Sequence, residues 1–247
     1  MLRFALVWLA SAALLPASLI LDRAPEARAV AELFVEPDGV RVEWDVRSGS
    51  RPELSIQTDR PLRARRVAVA PPPGAGAKEI GLVVYHLGLP VSDLHYLTGP
   101  ETVELDWRDP WRSRMADPGL RRVYDSPLSV FLHVGRYEIR VEVVGRPAEL
   151  GLPRPDPQHF RRRVERFLEG RWTLRIDGRQ EAPPAARCEF LERRVRLTRP
   201  APPPTGERIR AAILGITYRI PRENYPERVE LEWSYFPPAA RRIVAAV

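Results

Sequence analysis

Hydrophobic and charged residues alternate along most of the chain. Between residues 40 and 46 the sequence VRVEWDV changes character at every step, and similar runs lie at 103–107, 137–144, 172–176 and 229–233. Successive side chains of a strand point to opposite faces, so these runs predict strands with one buried face and one solvated face. Half-buried strands of this kind are typical of antiparallel sheets.

Two stretches are more continuously apolar, at residues 80–89 and 209–220. They predict central strands that are covered on both sides, while clusters of proline and glycine between the runs predict turns. The fold class predicted from these patterns is mainly β, with antiparallel sandwich-like sheets. A short helical turn is expected at residues 92–97, where Ser92 can act as a cap.

One amphipathic helix is predicted over residues 155–170. Asp156 can cap it, Pro157 suits the first turn, and Gly170 ends it. Its apolar face comprises Phe160, Val164, Phe167 and Leu168, and arginines crowd the other face. Packing on a sheet is favoured over a membrane-surface helix, because the segment is short and strands flank it.

The N-terminus has the layout of a signal peptide. Arg3 precedes an apolar stretch over residues 4–21, and Ala27-Arg28-Ala29 offers a small-x-small cleavage pattern. This predicts an N-terminal signal helix within residues 1–29, cleavage before Val30 and export to a periplasmic or other extracytoplasmic location. The alternative is an uncleaved membrane tether through residues 4–21.

The predicted domain organisation divides the mature chain at its proline-rich run, residues 145–157. Residues 30–150 form a β-rich domain and residues 151–247 form a helix-plus-strands unit. In the alternative arrangement the two parts share one core.

Charge and cysteine content limit the classes of partner. The formal net charge is +7, carried almost entirely by arginine, and Lys78 is the only lysine. For an exported protein this balance favours an envelope protein or an anionic envelope surface as partner, and the chain has no nucleic-acid-binding motif. Cys188 is the only cysteine, which excludes an internal disulfide.

Catalytic and metal-binding patterns are absent from the sequence. The four histidines (His86, His95, His133 and His159) lack the short spacings of common metal sites, although His86 and His133 could meet across a sheet. No nucleophile elbow surrounds a serine, and the carboxylates mostly alternate with apolar residues, as on a solvated strand face. The sequence therefore predicts no catalytic residue, no metal site and no cofactor.

The most unusual loop begins at residue 107 and mixes aromatic rings with guanidinium groups. Rings can stack on sugars and arginines can grip carboxylates, so the loop predicts a ligand-binding surface. The candidate ligand-binding residues are Trp107, Trp111, Arg112, Arg114 and Tyr124. The alternative is a plain long connection in which Trp107 faces the core and Trp111 is tucked in.

Four segments carry a resemblance to other proteins: VFLHVGRYEIR at 130–140, WTLRIDG at 172–178, AAILG at 211–215 and PERVELEW at 226–233. Together with the helix, their order resembles uncharacterised exported bacterial proteins with a β-rich extracytoplasmic fold. The resemblance covers roughly the C-terminal half, and its motifs are structural rather than catalytic.

These observations favour a non-catalytic binding or protein-interaction module of the cell envelope. Edge strands with alternating charges can accept a strand from a partner protein. Two alternatives remain open at this point: an envelope hydrolase acting on polysaccharide or peptide, and a periplasmic metal-handling protein.

Overall fold

The structure is a computed structural model, and it describes residues 26–122, 127–152, 159–195, 198–237 and the backbone of 244–246. The described chain is mainly β, with several antiparallel sheets and few helices, which confirms the coarser part of the predicted fold class. The apolar stretch at residues 4–21 lies outside the described residues. No helix among the residues described is long and apolar enough to span a membrane.

The described residues of the first half form nine strands arranged in two sheets. They are β1 (Ala29–Glu36), β2 (Gly39–Val46), β3 (Ser55–Thr58), β4 (Arg66–Ala70), β5 (Ile80–His86), β6 (Leu89–Pro90), β7 (His95–Tyr96), β8 (Glu101–Glu104) and β9 (Arg114–Met115). One sheet has the order β2-β1-β5-β6, with β7 also paired to β5, and the other has the order β3-β4-β8-β9. A shared apolar core lies between the two sheets.

Strand β5 is buried at every position, as expected of a central strand. It pairs in parallel with β1, from Ala29 opposite Ile80 to Val35 opposite His86. This parallel pair departs from the all-antiparallel prediction. The alternation of apolar and charged residues indicates which face of a strand is buried, but it does not indicate whether neighbouring strands run parallel or antiparallel.

In the second half, the described residues form nine further strands and one α-helix. They are β10 (Leu128–Val134), β11 (Glu138–Gly145), β12 (Trp172–Ile176), β13 (Arg179–Glu181), β14 (Ala185–Arg193), β15 (Thr198–Ala201), β16 (Ile213–Pro221), β17 (Val229–Trp233), β18 (Val244–Ala246) and helix α1 (Phe160–Leu168). A six-stranded sheet has the order β15-β14-β16-β11-β10-β18, and a three-stranded sheet has the order β13-β12-β17.

Four short 3-10 helices lie among these strands within the described residues. They cover Pro110–Arg112, Pro118–Leu120, Pro147–Leu150 and Gly206–Ala211. The last of them occupies the start of the apolar run predicted as a central strand at 209–220, so β16 begins only at Ile213.

Helix α1 is shorter than the predicted span of 155–170. It begins after His159 and ends at Leu168, and Gly170 adopts a left-handed φ of 69° just past its end. Asp156 and Pro157 lie outside the described residues. Val164 and Leu168 are fully buried in the core of the second half, so the helix packs on the sheets as predicted.

The apolar cores divide the chain between Leu120 and Leu128. The first cluster ends at Leu120, and the second begins at Leu128 and includes β10, β11, Leu150 and Leu152. Strand β11, Leu150 and Leu152 therefore belong to the same cluster as Val164 of α1 and Leu174 of β12.

The helical turn predicted at residues 92–97 is wrong. Ser92 does not cap a helix, because its hydroxyl accepts a bond from the Val84 N–H at 3.3 Å. Tyr96 pairs instead with Gly81 of β5, and the Leu97 N–H bonds to Ile80 O at 2.9 Å.

Candidate functional site

Contacts between the two halves form a seam, which we define by two small apolar clusters and the charged groups beside them. One cluster joins Leu87, Leu89 and Trp111 of the first half to Ala211 and Ile213 of the second. The other contains Phe34, Val83 and Tyr85, against which Val195 packs. The loop predicted to bind ligand lies along this seam.

Two aspartates shape that loop. Asp106 Oδ1 accepts bonds from the backbone N–H groups of Arg108 at 2.8 Å and Asp109 at 3.0 Å. Asp109 in turn caps the 3-10 helix at Pro110–Arg112 by accepting from the Trp111 N–H. Such turns hold the loop in one backbone conformation without regular structure.

Both tryptophans of the loop are structural parts of the seam. The Trp107 indole N–H donates to Ala64 O at 2.8 Å, and its ring packs against the first core. Trp111 is 8% exposed, with the guanidinium of Arg146 4.5 Å and that of Arg122 5.2 Å from its ring centroid. Trp111 is therefore tucked in and is not an open platform for a ligand.

The remaining predicted ligand-binding residues are not gathered around these rings. The Arg112 side chain is 77% exposed and lies 3.5 Å from Asp109 Oδ2. Arg114 is on β9 and pairs with Glu104 at 3.0 Å. Tyr124 lies outside the described residues.

Beneath the loop is a buried histidine–serine pair that sequence reasoning missed. His86 Nδ1 lies 2.7 Å from Ser113 Oγ, and the same oxygen accepts the Asp106 N–H at 2.9 Å. The two residues are 27 positions apart, and no local spacing signals their contact. A histidine beside a serine can act as base and nucleophile, but both side chains here are buried, at 0% and 4% exposure.

The environment of His86 keeps its ring neutral. Burial lowers the pKa of His86 from 6.5 to about 4, outweighing the opposing charge of Asp106. Since Ser113 Oγ already accepts one bond, its hydroxyl proton can go to Nδ1, which places the imidazole proton on Nε2. Among the described residues Nε2 has no hydrogen-bond partner, and the ring meets Trp107 edge to face at 4.4 Å between centroids.

The other histidines of the metal hypothesis each have a separate partner. His95 places Nδ1 2.8 Å from Asp93 O and Nε2 2.8 Å from Glu101 Oε2. His133 lies 3.5 Å from Glu142 Oε2. Within the described ranges, no three His, Cys, Asp or Glu side chains come together as metal ligands would.

A cavity of about 40 Å³ lies at the seam between the halves. Arg122 and Arg193 line it together with Asp93, Trp111 and Tyr85. Its remaining walls are mostly aliphatic: Val83, Leu89, Leu94, Val195 and Ile213. Sequence reasoning missed this cavity too, because its charged residues come from distant parts of the chain.

The outer edge of strand β2 is a second exposed feature. Strand β2 pairs antiparallel with β1. Just past β2, the Arg47 N–H donates to Arg28 O at 2.9 Å, so Arg47 and Arg28 form a hydrogen-bonded pair. Hydrogen-bonded pairs then recur at every second residue, so Arg41, Glu43 and Asp45 bond to β1. We call the outward-pointing backbone groups of the intervening residues (Val40, Val42, Trp44 and Val46) the β2 edge.

The β2 edge is unpaired among the residues that the structure describes. In the sheet order β2 is terminal and has β1 as its one neighbour. Four N–H and four C=O groups therefore point away from the sheet along eight residues of strand. Such a row is a ready template for pairing with another chain.

Comparison with known protein families, with curated proteins and with solved structures found no match. The arguments on function therefore rest on the geometry of this chain.

Proposed function

We propose that this protein is an exported, non-catalytic interaction module that binds an extended segment of another envelope protein along the β2 edge. The observation that carries the proposal is the unpaired backbone of Val40, Val42, Trp44 and Val46. A segment added there would continue the sheet through main-chain hydrogen bonds, as in other cases of strand addition.

Side chains of β2 supply a basis for selectivity. On one face Val40, Val42 and Trp44 pack toward the first core, and on the other Arg41 and Asp45 are exposed. Opposite charges on directly paired residues stabilise neighbouring strands, and like charges oppose pairing. We expect the partner segment to place an acidic residue opposite Arg41 and a basic residue opposite Asp45.

The exported location rests on the sequence. Arg3 and the apolar stretch at residues 4–21 have the composition of a secretion signal or a membrane tether. Either outcome would place the β2 edge on the extracytoplasmic side, where envelope proteins can reach it.

The test is photocross-linking in living cells of the source organism. A photoreactive amino acid is placed at Asp45, beside the β2 edge, and at the exposed Arg187 on β14 as a control position. Recovered adducts are identified by mass spectrometry. We expect one recurrent protein at position 45 that is absent at position 187.

Backbone variants then separate strand addition from side-chain contact. The V42P/V46P variant removes two outward N–H groups without removing a bond to β1, whereas V42T/V46T keeps every N–H and serves as the matched control. Loss of the adduct in the proline variant alone supports the proposal. An adduct that persists in the proline variant, or one equally strong at position 187, would overturn it.

A further inference from the structure

We propose that, in the absence of its partner, the β2 edge is covered by the β2 edge of a second copy of this chain, in an antiparallel pair related by a two-fold axis. The inference rests on the proposed function, because it assigns an occupant to the same edge in the partner-free state. Its basis is the length of the edge and the order of charges along β2.

The β2 edge is the longest open strand edge among the described residues. Strand β2 has eight residues, whereas the other strands at the ends of the sheets have five or fewer. Its pairing with β1 continues without a bulge, and no proline interrupts it. Proteins commonly protect an exposed edge by short strands, bulges or proline, or by charged side chains. Of these means β2 has only its charges, so the charges decide what can pair with it.

The charges of β2 favour one register of self-pairing. Outward-pointing residues of the two copies must face each other, so the two-fold axis passes through a residue of β2 in each permitted register. With the axis at Val42, Arg41 of each copy faces Glu43 of the other. Moving the axis to Arg41 or to Glu43 would place two like charges directly opposite each other, which destabilises a strand pair.

The same register also matches the apolar side and the backbone. Trp44 of each copy faces Val40 of the other, and an aromatic ring opposite a β-branched side chain is a favourable cross-strand pair. Val42 faces its own counterpart. These three facing pairs each exchange two main-chain bonds, so about six hydrogen bonds would join the copies.

Arg41 and Glu43 keep their partners within the chain and remain accessible. They pair with each other, Glu43 also bonds to Arg194, and the Arg41 guanidinium lies 4.5 Å from the Phe34 ring centroid. Their side chains are nevertheless 54% and 41% exposed. Across the axis the four groups would alternate in sign, so each gains an oppositely charged neighbour without giving up its first.

A second copy is a cover that the partner can displace. It presents an acidic residue opposite Arg41, but it places Gly39 opposite Asp45. A partner segment with a basic residue at that position has one more favourable pair than the second copy has.

The test is co-purification of two full-length copies that carry different C-terminal tags. The copies are expressed together in a secretion-competent host other than the source organism, so that the native partner is not supplied. The variants are R41E, E43R and, as a control, R47E. Arg47 is exposed just past β2 and would face the uncharged Pro37 in the favoured register.

We expect wild-type copies to co-purify, and R47E copies to do so equally. Two R41E copies, or two E43R copies, should co-purify about fivefold less, because two pairs of opposite charge become pairs of like charge. An R41E copy together with an E43R copy should recover most of the wild-type amount. Contacts within a chain cannot explain this recovery, since each variant still lacks its own pair between residues 41 and 43.

Absence of co-purification between wild-type copies would overturn the inference. So would a mixed pair that recovers no more than two R41E copies or two E43R copies. If only self-pairing is wrong, the adduct of position 45 to another protein persists in the source organism. Recovery in the mixed pair without such an adduct would support self-pairing and contradict the proposed function.

Discussion

His86 illustrates at the scale of one residue how burial determines protonation. Its ring is fully buried in β5, with Ser113 on one nitrogen and the edge-to-face contact with Trp107 beside it. The contacting groups offer a hydroxyl and an indole ring rather than a carboxylate. The charge of Asp106 favours the protonated imidazole, but burial outweighs it, and the fold therefore favours the neutral form.

This environment predicts an acid-dependent loss of stability. The folded pKa of His86 is about 4 and the unfolded value is 6.5, so the folded state binds fewer protons between these pH values. The stabilisation from neutral His86 is complete above pH 6.5 and is lost as pH falls toward 4, by about 3 kcal/mol in total. Urea unfolding at half-unit pH steps measures the slope.

The variant H86N isolates this contribution. An asparagine amide oxygen can accept the bond that Ser113 Oγ donates to Nδ1, but it does not titrate. The slope of unfolding free energy against pH should therefore flatten between pH 6.5 and 4. Stability at pH 7 should still fall. Equal slopes in the wild type and H86N would show that His86 does not titrate differently on folding.

At the scale of the element, strand β1 includes residues that the sequence assigns to the signal peptide. Ala27 and Ala29 are fully buried, and Ala29 pairs with both Val46 and Ile80. Arg28 donates to Ser48 O at 2.9 Å and pairs with Glu79 at 3.1 Å. Cleavage before Val30 would remove these contacts from the folded protein.

We therefore expect the mature protein to retain residues 27–29, whether or not the apolar stretch at 4–21 is removed. Mass spectrometry of the N-terminus after expression in a secretion-competent host measures this directly. In parallel, a chain beginning at Val30 should unfold at lower urea than one beginning at Glu26, because it lacks the first pairs of β1. A mature N-terminus at Val30 with equal unfolding of the two chains would contradict the prediction.

Elements were predictable where local pattern determines them. Strands β2, β11, β12 and β17 follow runs of strict alternation, and β5 follows a continuous apolar run. The parallel pairing of β1 with β5 was not predictable, because pairing partners depend on contacts between distant segments. Serine is a common helix cap, so Ser92 predicts a helical turn at residues 92–97. In the structure its hydroxyl accepts a bond from the Val84 N–H of β5 instead.

The candidate site depended even more on long-range contacts. Trp107 and Trp111 stand out in the sequence, but the pattern could not show that Trp107 packs against the first core, nor that Trp111 packs with Ala211 and Ile213 of the second half. Arg122 and Arg193 line the same cavity although they are distant in the sequence. The alternation in β2 predicted a half-buried strand, whereas its place at the end of a sheet could not be predicted from the sequence.

At the scale of the whole molecule, Arg194 connects the two halves through charge. Its Nη2 lies 2.8 Å from Glu32 Oε2 and also bonds to Glu43, and its guanidinium is 4.5 Å from the Phe34 ring centroid. Glu32 and Glu43 are directly opposite each other in the pairing of β1 with β2. Like charges placed opposite each other destabilise a sheet, so Arg194 from the second half relieves a repulsion within the first.

The substitution R194M tests whether this ion cluster stabilises the assembled molecule. It keeps much of the apolar stem over Phe34 but leaves two facing carboxylates, and we expect a loss of about 2 kcal/mol in the free energy of urea unfolding. Glu32 is 15% exposed and Glu43 is 41% exposed, which limits the loss to less than that of a fully buried pair. R199M is the control, since Arg199 is 58% exposed and should contribute below about 1 kcal/mol.

A double-mutant cycle with E32Q separates charge from packing. If Arg194 acts by relieving the repulsion between Glu32 and Glu43, R194M should cost less in the E32Q background, because Glu43 then has no carboxylate opposite it and still pairs with Arg41. If Arg194 acts through its contact with Phe34, the cost should be the same in both backgrounds. A loss in R194M no greater than that in R199M would mean that apolar contacts around Trp111 and Ile213 hold the halves together without this cluster.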